Sequence, residues 1–372
     1  MSLREAGVLL FDCDHRTPLA ALAGYPYVAI PQLKGGRIDF DGARLISEAD
    51  YRAWTRRALP QDGDVVLSRR TNPGETASVP KGAQFALGQN LVILRSVGDV
   101  VYPPFLRWLA RSPQWWEQTR KFLNVGALFD SLRCADIPKF ELPIPPYNVQ
   151  RGIAGVLGAL DDKIELNRRM SATNRNLRYA VLDLAMRDLK PEVPLTKLAS
   201  FANGGAFTAH ANGQGRPIIR IRELTSGIDA QTPRTSLEVS RQNLAEPDTL
   251  LLAWSGSIGA HRWHGDEAVI NQHIFKVIPT RPAWLVQYWL DRHVASFRGI
   301  AADKATTMGH IQRHHLDEAL CAVPAESKLM ELDQMLAPLY QLEHTQATET
   351  VGLSQLRDAL LPELISGRMT VN

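Results

Sequence analysis

The sequence is poor in cysteine and contains no long apolar run. Its 372 residues include three cysteines, Cys13, Cys134 and Cys321, which lie far apart and form no Cys-x-x-Cys pair. This pattern argues against a disulfide scaffold or a zinc site and fits a reducing cytosol. No segment approaches the roughly 18 apolar residues of a membrane span, and the N-terminus lacks the basic and then apolar pattern of a signal peptide. We therefore expect a cytoplasmic protein without a membrane partner.

Several catalytic motifs are also missing. Without a phosphate loop of the Gly-x4-Gly-Lys-Ser/Thr type, ATP hydrolysis is not expected. Pro145-Pro146-Tyr147 resembles the Pro-Pro-aromatic motif of adenine methyltransferases, but the preceding Ile144 cannot hydrogen-bond a target amino group. No glycine-rich loop offers a place for S-adenosylmethionine. These absences predict that the chain is not itself a methyltransferase.

Two further motifs give no clear catalytic or metal site. Ser255 to Gly259 does not fit the Gly-x-Ser-x-Gly nucleophile elbow and is typical of a loop that closes a strand, although Ser255 could still face a ligand. His310, His314 and His315 have no carboxylate or cysteine at ligand spacing, so we expect no metal there.

The composition is that of an ordinary globular protein. Hydrophobic residues make up 45% and charged residues 22%, with a net charge of +3 and a pI of about 8.7. This mild basicity permits nucleic-acid binding without demonstrating it. The length is sufficient for two or three domains with real cores.

A helical pattern of about forty residues follows a proline-rich extended segment near the middle of the chain. Prolines in 142–146 bias their predecessors away from helix, and Asn148 is a good candidate N-cap. Apolar residues then recur every three or four positions, as in a coiled-coil face, until Pro191 and Pro194 end the pattern. At 1.5 Å per residue the helix is about 60 Å long, which indicates a spacer rather than a domain core.

The C-terminal part repeats this pattern without an insertion. Val323-Pro324-Ala325 aligns with Ile144-Pro145-Pro146 at an offset of 179 residues, and Ser327 falls on Asn148 at the same offset. Gly367 is expected to form the C-cap, and Pro338 to kink or delay the helix. The predicted helix-interface or partner-contact residues are Ile153, Val156, Leu160 and Leu177 of the first helix, and Leu332, Met335, Leu339, Leu342, Leu353, Leu356 and Leu360 of the second.

The globular stretches between the helices are related as well. The matched segments are Pro26–Leu33 with Pro217–Leu224, Asp64–Leu67 with Asp248–Leu251, Gly88–Leu91 with Asn271–Ile274 and Trp108–Arg111 with Trp289–Arg292, at offsets of 191, 184, 183 and 181. The drift reflects short length differences, which loops tolerate. The chain is therefore predicted to be a two-fold duplication of a globular unit followed by a long helix.

Both globular units are predicted to be α+β, with short strands bounded by Gly and Pro and helices on one side. The expected strands are Tyr27–Ile30, Asp64–Ser68, Leu87–Leu94, Ile218–Ile221, Thr249–Trp254 and Val269–Ile278, and the expected helices are Ser47–Trp54, Phe105–Phe122 and Ala283–Phe297. This gives globular domains at 1–146 and 191–324 and long helices at 147–190 and 325–372.

Loops in both units carry cations, amides and hydroxyls. Arg220 and Arg222 alternate along a predicted strand, so their side chains are expected on one face. Single charges of this kind are usually solvated, and paired amides can simply satisfy a sheet edge. In two repeated units, however, such side chains could also contact phosphates and read base edges. The candidates for DNA contact are Lys34, Arg69, Arg70, Asn72, Gln89, Asn90, Arg220, Arg222, Ser255, Ser257, Gln272, Lys304, Thr306 and Arg313.

These features together resemble the specificity subunit of type I restriction–modification systems. The entry segment Leu142-Pro-Ile-Pro-Pro with Gln150, the closing segment Leu356 to Gly367, and the duplicated order of unit and helix carry the resemblance over the whole length. The second helix departs from the entry pattern at Ala325, where a proline and a following Gln are missing.

The resemblance implies a fold and a role. Each globular unit would be a target-recognition domain, and the two domains would be related by a pseudo-two-fold and held apart by an antiparallel coiled coil. Each would read one half of a split target in double-stranded DNA, with helix length setting the unread spacer. Two methyltransferase subunits would carry S-adenosylmethionine, and restriction subunits would use ATP and Mg. This chain itself would be non-catalytic and would bind no cofactor.

Other classes remain open at this point. The DNA-recognition subunit of a type IIB-like restriction–methylation enzyme is not separated by these motifs. A coiled-coil adaptor that binds no DNA would explain the helices but not two copies of a unit rich in Arg, Asn and Gln. A solitary adenine methyltransferase would need the cofactor motifs that the sequence lacks.

Overall fold

A computed structural model describes residues 1–126, 130–303 and 309–371. The chain forms two compact units, one of residues 1–162 with 354–372 and the other of residues 163–353. Both contain sheets and helices, so the predicted α+β class is confirmed. The predicted globular domains 1–146 and 191–324 each fall inside one unit. Among the described residues, no helix combines the length and the apolar character needed to cross a lipid bilayer.

The first unit contains two sheets and a hairpin. Its strands are β1 (Val8–Asp12), β2 (Tyr25–Val28), β3 (Leu33–Lys34), β4 (Arg37–Ile38), β5 (Arg44–Ile46), β6 (Val65–Ser68), β7 (Thr76–Ser78), β8 (Ala86–Leu87) and β9 (Leu91–Ser96). Its helices are α1 (Glu48–Thr55), α2 (Pro103–Leu109), α3 (Pro113–Phe122) and the beginning of the long helix α4 (Tyr147–Met186). The sheet orders are β1-β9-β6-β7 and β5-β2-β8, with β3-β4 as the hairpin.

The second unit repeats this plan. Its strands are β10 (Val193–Pro194), β11 (Ala199–Asn203), β12 (Arg216–Ile219), β13 (Arg234–Thr235), β14 (Leu244–Ala245), β15 (Leu250–Ala253), β16 (Gly259–Arg262), β17 (Ala268–Ile270), β18 (Ile274–Pro279) and β19 (Leu320–Cys321). Its helices are α5 (Ile221–Ser226), α6 (Ala283–Asp303), α7 (Arg313–Glu318) and most of the long helix α8 (Glu326–Ile365). The sheet orders are β11-β18-β15-β16, β13-β12-β17-β14 and β10-β19.

The duplication is visible in the backbone pairing. Leu10 lies opposite Leu94 in the first unit, and Phe201 lies opposite Val277 in the second. These pairs are related by the predicted offsets of 191 and 183 residues. The main sheets of the two units therefore have the same order and the same register.

One predicted offset is wrong by a single residue. Val65 pairs with Leu94 and Leu250 pairs with Val277, so β6 and β15 are related by 185 residues rather than 184. The turns before the two strands match at this same offset, because Gly63 and Asp248 have similar left-handed φ values of 83° and 76°. A one-residue shift of this kind is easily missed because both segments begin with an aspartate.

Local capping explains where the first unit departs from the predicted helices. The hydroxyl of Ser47 accepts the Asp50 N–H at 3.1 Å, which confirms the predicted start of α1. The single helix predicted from Phe105 to Phe122 is instead two helices, because Ser112 caps a new one by accepting the Trp115 N–H at 3.1 Å. A serine followed by proline is a start signal for a helix. The predicted single helix is therefore divided, with α2 ending at Leu109 and α3 beginning at Pro113.

The long helices begin slightly earlier than their predicted N-caps. Asn148 and Ser327 lie inside the first turns of α4 and α8, so the cap assignments are wrong. The entry of α4 is held instead by the buried side chain of Gln150, whose amide N–H groups donate to the Val100 and Pro145 carbonyls at 2.9 and 2.8 Å. Its Oε1 also accepts the Tyr102 N–H at 2.8 Å.

The end of α8 agrees with the sequence, while its start does not show the predicted delay. The helix begins at Glu326 and continues through Pro338 to Ile365. Gly367 has a φ of 72°, the left-handed conformation of a glycine C-cap. The N–H of Met369 donates to the Glu363 carbonyl at 3.1 Å, as in a closed C-terminal turn.

The buried face of the long helices is partly polar, which the predicted apolar face did not anticipate. Ile153 and Leu332 are buried, and Leu160, Leu339, Leu353 and Leu360 are half-buried. The predicted interface residues Val156, Leu177, Met335, Leu342 and Leu356 are exposed, so their placement between the helices is wrong. The buried positions include polar residues, namely Asp161, Asn167, Asn174, Arg178, Glu343, Gln346 and Arg357. Arg178 pairs with Glu343 and Arg357 pairs with Asp161, while Asn174 donates to the Leu339 carbonyl. Polar contacts therefore replace part of the apolar stripe.

Candidate nucleic-acid interface

Two turns of the first unit bring most of its DNA-contact candidates together. One is Arg69–Asn72, directly after β6, and the other is Gln89–Asn90, between β8 and β9. The Arg69 N–H donates to the Asn90 carbonyl at 2.9 Å, which joins the two turns. Arg70, Asn72 and Gln89 are exposed there. A cation and two amides are therefore presented from adjacent backbone segments, and such side chains can contact phosphates and base edges.

Thr71, in the first of these two turns, has a strained backbone conformation. Its φ is 64°, in the left-handed region that β-branched residues rarely adopt. The equivalent residue in the second unit is Gly256, with a φ of 63°. The turn therefore requires left-handed backbone in both units, and the first unit tolerates a threonine there. Strain of this kind is concentrated at functional sites.

Arg69 differs from its neighbours because its side chain faces inwards. The guanidinium donates to the Leu132 carbonyl at 3.4 Å and lies 3.7 Å from Oδ1 of Asp12. Its side chain is only 13% exposed. Arg69 therefore stabilises the turn from the protein interior and is not presented to solvent. Lys34 lies on the β3–β4 hairpin, where its ammonium pairs with Asp39 at 2.7 Å.

Segment 131–134 completes this part of the first unit. The Leu132 N–H donates to the Arg69 carbonyl at 2.9 Å, and in the second unit the Ile311 N–H donates to the Trp254 carbonyl at 3.0 Å. The backbones of Arg70 and Ser131 form an isolated antiparallel β-bridge, and those of Ser255 and His310 form the matching bridge in the second unit. The turn after β6 is thus matched by the turn after β15, where two further candidates, Ser255 and Ser257, lie.

Arg220 and Arg222 are not on a strand, which corrects the prediction. Strand β12 ends at Ile219 and helix α5 begins at Ile221, because the Glu223 carboxylate accepts the Arg220 N–H at 3.0 Å and caps the helix. In the first unit, Gln32 makes the matching bond to the Ala29 N–H at 3.1 Å. A Glu or Gln three residues into a helix is a known capping signal, and the sequence contained it.

Both arginines are held by carboxylates. Arg220 donates to Glu223 at 2.6 and 3.0 Å, and Arg222 donates to Glu223 and to Asp229. Burial disfavours the Glu223 carboxylate, but the hydrogen bonds from Arg220 outweigh it and hold its pKa below the usual value. The paired carboxylates raise the pKa of both arginines, so the guanidiniums stay charged and have fixed orientations.

A cavity of about 240 Å³ beside these arginines includes two residues, Asn271 and His273, that were not among the predicted DNA contacts. It is lined by Arg220, Ile221, Arg222, Asn271, His273 and Ile274. Among the described residues, the buried Asn271 Oδ1 and His273 Nδ1 have no hydrogen-bond partner. Buried polar atoms without partners are uncommon and require an explanation. The predicted Gln272 is exposed between them.

The remaining candidates of the second unit are dispersed. Ser255 is buried, whereas Ser257 is exposed at a different cavity of about 220 Å³. Arg313, exposed on α7, donates to the Phe201 carbonyl at 2.8 Å. Lys304 and Thr306 lie outside the described residues.

Contrary to the prediction, a carboxylate lies near two of the three histidines. Ligand atoms of His314, His315 and Glu318 lie within 4.8 Å of one another on α7. A carboxylate is therefore available at helical spacing, although His314 and Glu318 are exposed.

Comparison with known proteins identifies a class consistent with this architecture. No family model matches the chain. It is 20% identical over 393 positions to the type I restriction enzyme MjaIX specificity subunit of Methanocaldococcus jannaschii, covering 94% of this chain and 85% of that protein. It is 21% identical over 264 positions to the type I restriction enzyme EcoKI specificity subunit of Escherichia coli, covering 63% of this chain and 55% of that protein.

A solved structure has the same fold over almost the entire chain. The crystal structure of a type I restriction–modification system S subunit from M. genitalium aligns with a TM-score of 0.52 at 17% identity, covering 98% of this chain and 95% of that chain. The resemblance to type I specificity subunits, first seen in the sequence, is thereby confirmed in sequence and in fold.

Proposed function

We propose that this chain is the DNA sequence-recognition subunit of a type I restriction–modification complex. It reads a bipartite target and directs adenine methylation and restriction by partner subunits, and it is non-catalytic. The observation that carries this proposal is the duplication: two sheets of identical order and register, each with polar turns at matched positions. The near full-length similarity to proteins named as specificity subunits supports it.

The two units would read different half-sites. Position 29 of the first unit is alanine, whereas the matched position 220 is arginine. Gly88 is likewise matched by Asn271. An added Cβ at Gly88 would come within 2.7 Å of the Val28 carbonyl oxygen, so the first unit has no room for a side chain there. Duplicated backbones with different side chains at the same turns fit a target whose two halves differ in sequence.

The long helices would provide the contacts with partner subunits. Val156 and Leu177 of α4 and Met335, Leu342 and Leu356 of α8 are each at least 37% exposed. Two methyltransferase subunits would bind S-adenosylmethionine, and restriction subunits would use ATP and Mg. The complex would act in the cytoplasm, where its DNA substrate lies.

Reconstitution tests this proposal. The full chain would be co-expressed with a type I methyltransferase subunit, purified as a complex, and supplied with double-stranded DNA and methyl-labelled S-adenosylmethionine. We expect a complex of one chain with two methyltransferase subunits and transfer of label to adenine, with no transfer by either protein alone. Methylation by this chain alone would contradict a non-catalytic role.

A further inference from the structure

A cluster of metal-ligand side chains lies at the end of β1, beneath the polar turns of the first unit. Ligand atoms of Asp12, Cys13 and His15 all lie within 4.8 Å of one another. The Cys13 Sγ is 4.0 Å from His15 Nδ1, and His15 Nε2 is 3.1 Å from Asp12 Oδ2. Zinc bonds of about 2.0–2.3 Å place tetrahedral ligands about 3.5 Å apart. With one ring nitrogen of His15 as the ligand, the three side chains lie close enough together to hold a single metal ion.

Segment 131–134 contains a second cysteine of this unit, Cys134, which lies near the cluster. Burial raises the pKa of the Cys134 thiol to about 11, and the nearby Asp12 carboxylate and Cys13 contribute to that rise. The bond from the Leu132 N–H to the Arg69 carbonyl, at 2.9 Å, fixes this segment against the turn after β6. Sequence spacing could not reveal the set, because Cys134 is brought to β1 only by the fold.

We propose that Cys13, Cys134, His15 and Asp12 form a binding site for one zinc ion, which extends beyond the proposed DNA-recognition function. Thiolate and imidazole ligands select zinc over magnesium or calcium. Two thiolates, one carboxylate and a neutral histidine would give the zinc complex a net charge of about −1. The Arg69 guanidinium, 3.7 Å from Asp12 Oδ1, is placed to balance that charge.

The site belongs to the first unit alone. The matched positions of the second unit are Asn203, Gly204, Ala206 and Arg313. These residues offer neither thiolate nor imidazole, so the chain should bind one zinc at this site. Because Arg69 also contacts the Asp12 side chain, zinc would stiffen the turn that carries Arg70, Thr71 and Asn72.

Metal analysis of the full chain tests the proposal without DNA or partner subunits. We expect one zinc per chain by mass spectrometry, and, after chelation, binding of Co²⁺ with the thiolate-to-cobalt absorption band near the ultraviolet. Cys13→Ser and Cys134→Ser should each weaken Co²⁺ affinity at least tenfold. His15→Gln should weaken it as well, and it changes an exposed side chain that does not threaten folding.

Cys321→Ser is the matched control, because Cys321 is a buried free cysteine of the second unit. It should leave the stoichiometry and the cobalt spectrum unchanged. No metal binding at micromolar Co²⁺, or binding that survives both Cys134→Ser and His15→Gln, would overturn the proposal. Neither result depends on whether the chain recognises DNA.

Discussion

Arg178 of α4 and Glu343 of α8 form an ion pair whose side chains are 0% and 3% exposed. Arg357, which is related to Arg178 by the 179-residue offset, pairs with the buried Asp161 at 2.7 Å. Each compact unit therefore contains one buried arginine–carboxylate pair between its segments of the two long helices. Such pairs add little net stability but fix which residues face each other.

Removing the carboxylate from the second unit should be severely destabilising. In Glu343→Gln, the buried Arg178 charge loses its partner, and we expect the free energy of unfolding to fall by about 3–5 kcal/mol. Urea denaturation of the full chain measures this. Glu331→Gln is the control, because Glu331 forms an exposed pair with Lys328, and should change stability by less than about 0.5 kcal/mol. Equal effects of both variants would refute a structural role for the pair.

The strained threonine gives a prediction of opposite sign in the two units. Thr71→Gly should stabilise the first unit by about 1 kcal/mol, because glycine adopts the left-handed conformation without steric cost. Gly256→Thr should destabilise the second unit by roughly 1–2 kcal/mol. An added Cβ at Gly256 would find its nearest neighbour, Ile221 Cδ1, at 3.8 Å, so the loss would come from the backbone alone. Denaturant midpoints that shift in the same direction would contradict this account.

Substitution of Arg222 is the most direct test of whether the second unit reads bases. Its side chain is 40% exposed, and Arg222→Ala should relax one half-site by about 1–3 kcal/mol while leaving the other unchanged. Sequencing of N6-methyladenine in cells that express the reconstituted methyltransferase measures both half-sites together. Arg241→Ala, an exposed arginine of the same unit paired with Glu246, is the control. Equal loss at both half-sites would instead indicate misfolding or a phosphate contact.

Helix length should determine the unread spacer. Inserting seven helical residues into both α4 and α8 lengthens each by about 10 Å, which corresponds to about three base pairs. The methylated motif should then keep its half-sites and change its spacer. An insertion variant that folds, methylates and keeps the original spacer would rule out the ruler role.

The sequence was most informative where its signal is local or repeated. The long helices and the duplication could be predicted, because periodicity, prolines and a constant offset need no tertiary contacts. The apolar face of α4 was misplaced because Asn174 and Arg178 are buried, and only their partners on α8 make that burial tolerable. The predicted strand through Arg220 was wrong because the prediction gave the alternating pattern more weight than the capping signal of Glu223.

The candidate site was less predictable. Arg69, Arg70 and Asn72 were recognised by their chemistry, but burial of the Arg69 side chain depends on Asp12, which lies far away in sequence. Asn271 and His273 belong to a segment matched with the first unit but were not chosen as DNA-contact candidates, because their significance lies in unpaired buried atoms. No composition or spacing rule reports on those.

The central claim is that two units of one chain read two halves of one DNA target. Its most direct test is co-expression with a type I methyltransferase subunit, followed by genome-wide sequencing of N6-methyladenine. We predict methylation at a single bipartite motif with two different half-sites and a fixed gap. Methylation at a continuous, ungapped motif would contradict the account, as would a symmetric motif that persists when the second unit is altered at Arg222.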